Sequence, residues 1–393
     1  MRIYIELLFF VLFVAYLPTA VFYYNCKRIR RSVALSIALW ALPSIFIVAF
    51  TLLHFKIGDL SSNMRYIPWF IWVFVTLFFP ANIYCLFYVV DKLVERFIKK
   101  RFIVLRCIGG IIAVITLVGL VFGMCDRKTL NVRRIAIEME DLPQSFNGLK
   151  IAQLSDLHLG NLSQPERYLT EIAEKTNAEN PDLLVFTGDL INLYASEGDG
   201  LDTQLATIDA PFGKFAVLGN HDYGDYVQWR TADEKADNLH NVKQLYKRLG
   251  FDLLIDEHRT LRKDSNEIGI IGVQNCGQPP FPCYGDLGKA TDGISTSFNI
   301  LLSHDPTHWR AEILNHENIQ LTLAGHTHGA QLGFDFGKWK WSPSHWIFEE
   351  WDGLYQDDEQ FLFVNRGLGF VGLPFRLGMR PEITIITLYS KEN

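Results

Sequence analysis

Cysteine is scarce in this chain, six among 393 residues, and no C-x-x-C occurs, which excludes a disulfide scaffold and a thiolate zinc site. Low-complexity tracts and long runs of one charge are absent while 49% of residues are hydrophobic, which excludes a disordered chain. Basic residues are scarce after Lys128: residues 129–393 carry 22 Lys/Arg against 38 Asp/Glu, net −16. Duplex nucleic acid, gripped through Lys and Arg contacts to phosphate, is excluded as the main partner. Acidic residues are scarce before that point, 5 against 15 basic ones in residues 1–128, net +10. The two parts face different solvents.

Four apolar stretches in the first part reach the length of a helical span: Ile3–Tyr24, Val33–Leu53, Ile67–Val90 and Phe102–Met124. They predict a four-helix transmembrane domain over residues 1–128. A cleaved signal peptide is the rival for the first stretch, but the run is too long and ends in Lys27-Arg28-Ile29-Arg30-Arg31 rather than at a small-residue cleavage site. The loop after the first span holds four basic residues and the loop after the third holds five (Lys92, Arg96, Lys99, Lys100, Arg101), against Lys56 and Arg65 after the second. The positive-inside rule places loops one and three in the cytoplasm and residues 129–393 on the extracytoplasmic side; Arg2, Arg127 and Lys128 count against it. Glu6, Pro80, Asn82, Cys85 and Cys107 invite a transport reading, yet no acidic or basic partner is expected deep in another span, so an anchor is favoured.

Beyond Met124 the apolar runs shorten to strand length: Val132–Glu138, Leu149–Leu154, Leu183–Phe186, Phe215–Leu218, Ile268–Val273, Asn299–Leu302, Gln320–Leu323, Phe361–Val364 and Glu382–Leu388. Helices are expected over Pro165–Asn180, Tyr226–Leu249 and Thr307–His316, the first opened by proline. The alternation predicts a layered α/β domain over residues 129–393, with functional residues at the carboxyl ends of strands. Residues 329–360 read as an irregular insertion.

Those strand ends carry the chemistry. Asp156-Leu157-His158 follows one strand, Gly188-Asp189 the next, then Gly219-Asn220-His221-Asp222, Ser303-His304 and Gly325-His326-Thr327-His328; five of the eleven histidines thus stand directly after strands. A lone histidine there is ordinarily a loop or core residue. The string Gly-Asn-His-Asp alone has a chance occurrence on the order of one in a thousand at average residue usage. Carboxylate, amide and imidazole together suit two divalent metal ions of the Mn, Fe or Zn kind. Such a pair, sharing one carboxylate, activates a bridging hydroxide and neutralises a phosphoryl group. His326 and His328, two apart, share one side of extended backbone. Arg366 and Arg376 are candidates for cradling phosphate oxygens, because a guanidinium fork matches that geometry.

Asp-x-His, Gly-Asp, Gly-Asn-His-Asp, a later His and Gly-His-x-His, in this order across about residues 145–390, resemble the calcineurin-like metallophosphoesterase superfamily. The Leu-Ser-Asp-Leu-His-Leu-Gly opening and the Arg-Gly-Leu-Gly, Pro-Phe-Arg and Arg-Pro-Glu-Ile close are similar to its membrane-associated bacterial branch, some of whose members act on lipid phosphates. The resemblance implies a four-layer α/β sandwich. It also implies that Asp156, His158 and His328 hold one metal, that Asp189 bridges, and that Asn220, His304 and His326 hold the other. His221 would protonate the leaving oxygen, with Asp222 orienting it.

Other signals carry less. Gly367-Leu-Gly369-Phe-Val-Gly372 spells a dinucleotide fingerprint, but Leu373-Pro374 follows where a helix must begin. Cys276 and Cys283 can pair or stay free. Asn161-Leu162-Ser163 is a glycosylation sequon only where organism and compartment allow it. Trp339, Trp341, Trp346 and Trp351 either cover the domain's own core or meet a lipid or sugar. The expectation is a membrane-anchored two-metal phosphoesterase acting on a phosphate mono- or diester, with a lipid-linked substrate preferred. A soluble nucleotide-type substrate and a non-catalytic metal-binding module are the rivals.

Overall fold

The computed structural model describes residues 2–55, 66–99, 103–201, 203–279, 282–316, 318–337 and 339–391, and only the backbone of residues 2–11, 50–55 and 315. Glu6, Lys56, Arg65, Lys100 and Arg101, on which the topology and transport readings draw, lie outside the described side chains. Two compact units emerge: Met1–Cys125 with Gly372–Phe375, and Asp126–Val371 with Arg376–Asn393.

Helices Arg2–Asn25, Lys27–Arg31, Val33–Phe55, Ile67–Ile98 and Ile103–Asp126 build the first unit. Among the described residues, Ile67–Ile98 and Ile103–Asp126 are long and apolar enough to cross a membrane, and Val33–Ala49 is a shorter apolar helix. Leu86, Ile111 and Ile115 stand exposed on these helices, an arrangement that costs free energy in water and none in hydrocarbon. The side-chain amide of Asn82 donates to the carbonyls of Val14 and Phe78, both at 2.7 Å, and so ties two helices together. The third apolar stretch runs on past Val90 to Ile98. Asp91 is buried in it and accepts from Arg106 Nε at 2.6 Å, a cross-helix ion pair that the sequence reading did not expect.

Two six-stranded sheets form the second unit. In spatial order, the first contains Asn131–Met139, Glu382–Ser390, Leu149–Leu154, Leu183–Phe186, Lys214–Ala216 and Asp252–Leu253. Its pairs are parallel except Glu382–Ser390 with Leu149–Leu154. The second contains Gly353–Asp357, Gln360–Val364, Leu321–Ala324, Asn299–Leu302, Asn266–Gly272 and Glu257–Lys263, parallel inside and antiparallel at both edges. Alternate residues of the two sheets meet in one dry core, Ile151, Val185 and Ile386 from the first with Ile270, Ile300, Leu323 and Phe363 from the second. The other face of the first sheet packs Leu169, Ile172 and Leu245 of helices Pro165–Asn177 and Ala232–Arg248, and that of the second packs Leu287 and Trp309. Strands buried on both faces explain the unbroken apolar runs.

Several expectations shift. The helix expected from Tyr226 starts at Ala232, where Thr231 accepts the Glu234 N–H at 3.1 Å as its cap. Thr307–His316 is a five-residue helix, Thr307–Ala311, and a 3-10 turn, Ile313–Asn315. The segment 329–360 is not irregular throughout: Phe334–Asp335 pairs with Lys340–Trp341, and Gly353–Asp357 supplies an edge strand.

Candidate metal centre

Strands Leu149–Leu154, Leu183–Phe186 and Lys214–Ala216 of one sheet and Asn299–Leu302 and Leu321–Ala324 of the other end shortly before the candidate ligands, and Asp156, His158, Asp189, Asn220, His304, His326 and His328 converge there. The backbone turns sharply to aim them: Asp156, His158, Asp189, His326 and His328 all adopt positive φ, between 46° and 72°. Side-chain residues rarely hold that conformation, and its cost is tolerated where neighbours over-determine it. Gly219 supplies the close approach, since a Cβ there would strike the Asp189 carboxylate.

Donor atoms face one another. His158 Nε2 lies 3.1 Å from His328 Nε2 and 3.6 Å from Asp189 Oδ2, and His328 Nε2 lies 3.4 Å from Asp156 Oδ1. On the other side of Asp189, His304 Nε2 is 3.2 Å from Asp189 Oδ2 and 3.0 Å from Asn220 Oδ1. His326 Nδ1 is 2.9 Å from the same Asn220 oxygen. Two clusters that can hold a cation result, Asp156/His158/His328 and Asp189/His304/His326, and a third, His158/Asp189/His221, shares Asp189. Lone pairs packed this closely and out of water repel unless a proton or cation lies among them. The donor set therefore fits divalent metal.

The atoms behind the donors hold each ring. His304 Nδ1 donates to the Thr187 carbonyl at 2.7 Å, which leaves Nε2 for the cluster. His326 turns Nε2 toward Asp305, 3.6 Å away, and Nδ1 inward. Asn220 donates its amide N–H to Tyr226 Oη at 2.6 Å, so its oxygen points inward. Burial pushes the His158 and His328 imidazoles well below their ordinary range, so both are neutral ligands. Burial opposes charge on Asp189, but His304 and His221 hold its carboxyl well below the usual range. Burial likewise opposes the His304 imidazolium, yet Asp189 carries it up to about 10: without metal, a proton stands in for the cation.

His221 is part-buried beside this cluster. Its backbone N–H donates to Asp189 Oδ1 at 2.8 Å, and its Nδ1 to the Asn192 carbonyl at 2.7 Å. The role expected for Asp222 changes. Its two oxygens accept the N–H groups of Asp189, Leu190, Ile191 and Gly219 and the Tyr246 hydroxyl, at 2.9–3.2 Å. Asp222 thus braces the two ligand loops, and Asn192 orients His221.

Arg366 and Arg376 also depart from expectation, since protein partners occupy both guanidinium groups. Arg366 donates to Asp352 at 2.7 and 2.9 Å and to Asp335. Arg376, fully buried, donates to the carbonyls of Gly369, Met379 and Arg366 and to His328 Nδ1 at 3.0 Å. Neither is presented to a phosphate; Arg376 instead anchors a ligand ring. Sequence reasoning also missed Tyr226, whose ring lies 4.4 Å from that of His221, and Glu197, which accepts the N–H groups of Gly160, Asn192, Leu193 and Tyr194. Asp305, next to His304, had a signal in its position; Asn192 acts through its main chain and had none.

The calcineurin-like phosphoesterase family profile matches residues 149–330. The metallophosphoesterase YkuE of Bacillus subtilis (strain 168) is 35% identical over 63% of this chain and 82% of its own length. A zebrafish (Danio rerio) transmembrane protein with a metallophosphoesterase domain is 31% identical over 71% of this chain and 61% of its own length. The UDP-2,3-diacylglucosamine pyrophosphatase LpxG of Chlamydia trachomatis is 29% identical over 61% of this chain and 84% of its own length. The chain belongs to the calcineurin-like phosphoesterase family. It is a metal-dependent phosphoric ester hydrolase with a mixed α/β fold.

Proposed function

We propose that the chain is an integral membrane protein, residues 1–128 forming a four-helix transmembrane domain. Residues 129–393 are its extracytoplasmic catalytic domain, a four-layer sandwich that hydrolyses a lipid-linked phosphate mono- or diester. The observation that carries the chemistry is the convergence of seven donor side chains around the shared Asp189 carboxylate. Asp156, His158 and His328 would hold one cation, Asn220, His304 and His326 the other, and Asp189 both. Bound there, divalent Mn, Fe or Zn would supply Lewis acidity, bringing water deprotonation toward neutral pH and offsetting phosphoryl charge. A carbonyl only accepts, so Nδ1 of His221 carries the proton shared with Asn192, and Nε2 is the atom that gives a proton to the leaving oxygen.

Membrane attachment is supported by the two long apolar helices and by the zebrafish relative's transmembrane description. The extracytoplasmic side is supported by the basic loops and by the Cys276–Cys283 disulfide, a bond that persists in oxidising compartments. A lipid-linked substrate is supported by the exposed Phe336, Trp339, Trp346 and Ile347, and by the LpxG relative, a pyrophosphatase of a diacylated sugar nucleotide. Phe348 brings the end of this segment to 5.5 Å from the His326 ring. The test is hydrolysis by the full chain in lipid nanodiscs of chromogenic monoester, diester and diacylated phosphate esters, with Mn, Zn or chelator. Metal-dependent turnover fastest on the diacylated ester is expected; equal or faster turnover of the soluble esters would remove the lipid preference.

A further inference from the structure

A cavity of about 480 Å³ lies away from the histidines and within the second unit. Its charged lining is Arg127, Lys128 and Arg167 against a single acid, Glu171, and its apolar lining is Leu162, Leu368 and Phe370. Glu171 is engaged by Lys175 at 2.9 Å, and among the described residues no acid pairs with Lys128 or Arg167. A cavity with a surplus of cations thus opens in a domain where acids outnumber bases 38 to 22. Arg127 is only 8% exposed, its guanidinium 5.4 Å from the centre of the Phe370 ring, so one of these cations is held largely out of water. The 13-residue helix Pro165–Asn177 begins at the same cavity, which places the positive end of its dipole there. Lys128 and Arg167 are exposed, so the cavity is reachable from solvent.

Cations, the positive end of a helix dipole and an apolar wall together match an oxyanion joined to a hydrocarbon body. Covalent position names its source: Arg127 and Lys128 directly follow the apolar helix Ile103–Asp126, and the first residues beyond a membrane span lie at the depth of the headgroups. We propose that this cavity binds the phosphate of an anionic lipid headgroup, as a site separate from the metal centre. Leu368–Phe370 and Leu159–Leu162 link the two places. Leu368 and Gly369 donate their N–H groups to the carbonyls of Ser155 and Asp156, and Asn161 donates to that of Phe370 at 2.7 Å. A lipid held here sits one loop away from the ligand-bearing segment Asp156–His158.

The inference rests on reading Ile103–Asp126 as a membrane span, and that premise is checked separately: release of the full chain from membranes by alkaline carbonate would remove it. With the chain retained, full-length protein in detergent is titrated with phosphatidylcholine, phosphatidylglycerol or inorganic phosphate, and bound lipid is counted by native mass spectrometry. The same titration is run on Lys128→Gln/Arg167→Gln, two exposed positions outside the metal centre whose replacement leaves hydrolysis of a soluble ester unchanged. Saturable retention of phosphatidylglycerol over phosphatidylcholine is expected, weakened roughly ten- to thirty-fold in the double variant, from the loss of two cations lining the cavity. Equal retention of both lipids, an unchanged variant, or displacement of phosphatidylglycerol by inorganic phosphate at equal concentration would overturn the proposal.

Discussion

The histidine loops and the arginine segment Asn365–Arg380 both follow strands of the same sheets, both carry charge, and both are largely buried, yet their side chains are used in opposite ways. In the histidine loops, nitrogen and oxygen donor atoms from several strands point at one another, 2.9–3.6 Å apart. In the arginine segment the guanidinium groups meet protein acceptors: Arg366 binds Asp352 and Asp335, Arg376 donates to three carbonyls and His328 Nδ1, Arg133 binds Asp352 at 3.0 Å, and Lys340 lies 3.7 Å from it. Donor atoms that converge from several strands mark a site of chemistry. A closed ion network marks the frame that holds it.

The sharpest way to break the contrast is Asp189→Asn, which removes the shared charge while keeping the shape. Turnover should fall by at least about 10³-fold with the circular dichroism spectrum unchanged, whereas Arg366→Lys should retain most turnover. His221→Ala should lower kcat by about 10²- to 10⁴-fold while bound metal, measured by inductively coupled plasma mass spectrometry, stays within error of the parent. Arg366→Ala should act on the frame: it takes the closest of three cations from the buried Asp352, leaving Arg133 and Lys340, and should cost about 1.5–3 kcal/mol in denaturant unfolding. Asp222→Ala, which strands four N–H donors, should destabilise as well. It should lower activity through displaced ligands, so excess metal should partly restore it, unlike in His221→Ala. The smallest effect is expected from Trp339→Ala/Trp346→Ala, about three- to tenfold on a diacylated ester with soluble-ester turnover unchanged.

What could be read beforehand follows the same contrast. Asp156, His158, Asp189, Asn220, His304, His326 and His328 were legible because central parallel strands are apolar on both faces and end abruptly in polar residues. Two edge strands of the second sheet were not: Glu257–Lys263 and Gly353–Asp357 are largely polar and half-exposed, so their periodicity resembles loop. Arg366, Arg376 and Asp222 were assigned by residue type, and residue type reveals a charge but not its partner. Asp352, which captures Arg366, lies beyond a hairpin in a segment with no regular pattern. The third apolar helix was ended too early at Val90 because Asp91 looks like an exit from a membrane until Arg106 is seen beside it.

The most direct test of the central claim is the metal content of the purified full chain, with and without Asp189→Asn, after loading with Mn or Zn and removal of excess. The parent should hold about two divalent ions per chain, as a shared-carboxylate pair requires, and Asp189→Asn should hold about one or fewer. A folded parent chain that retains no divalent metal at all would contradict the account, since the facing lone pairs would then have to be reconciled by protons alone.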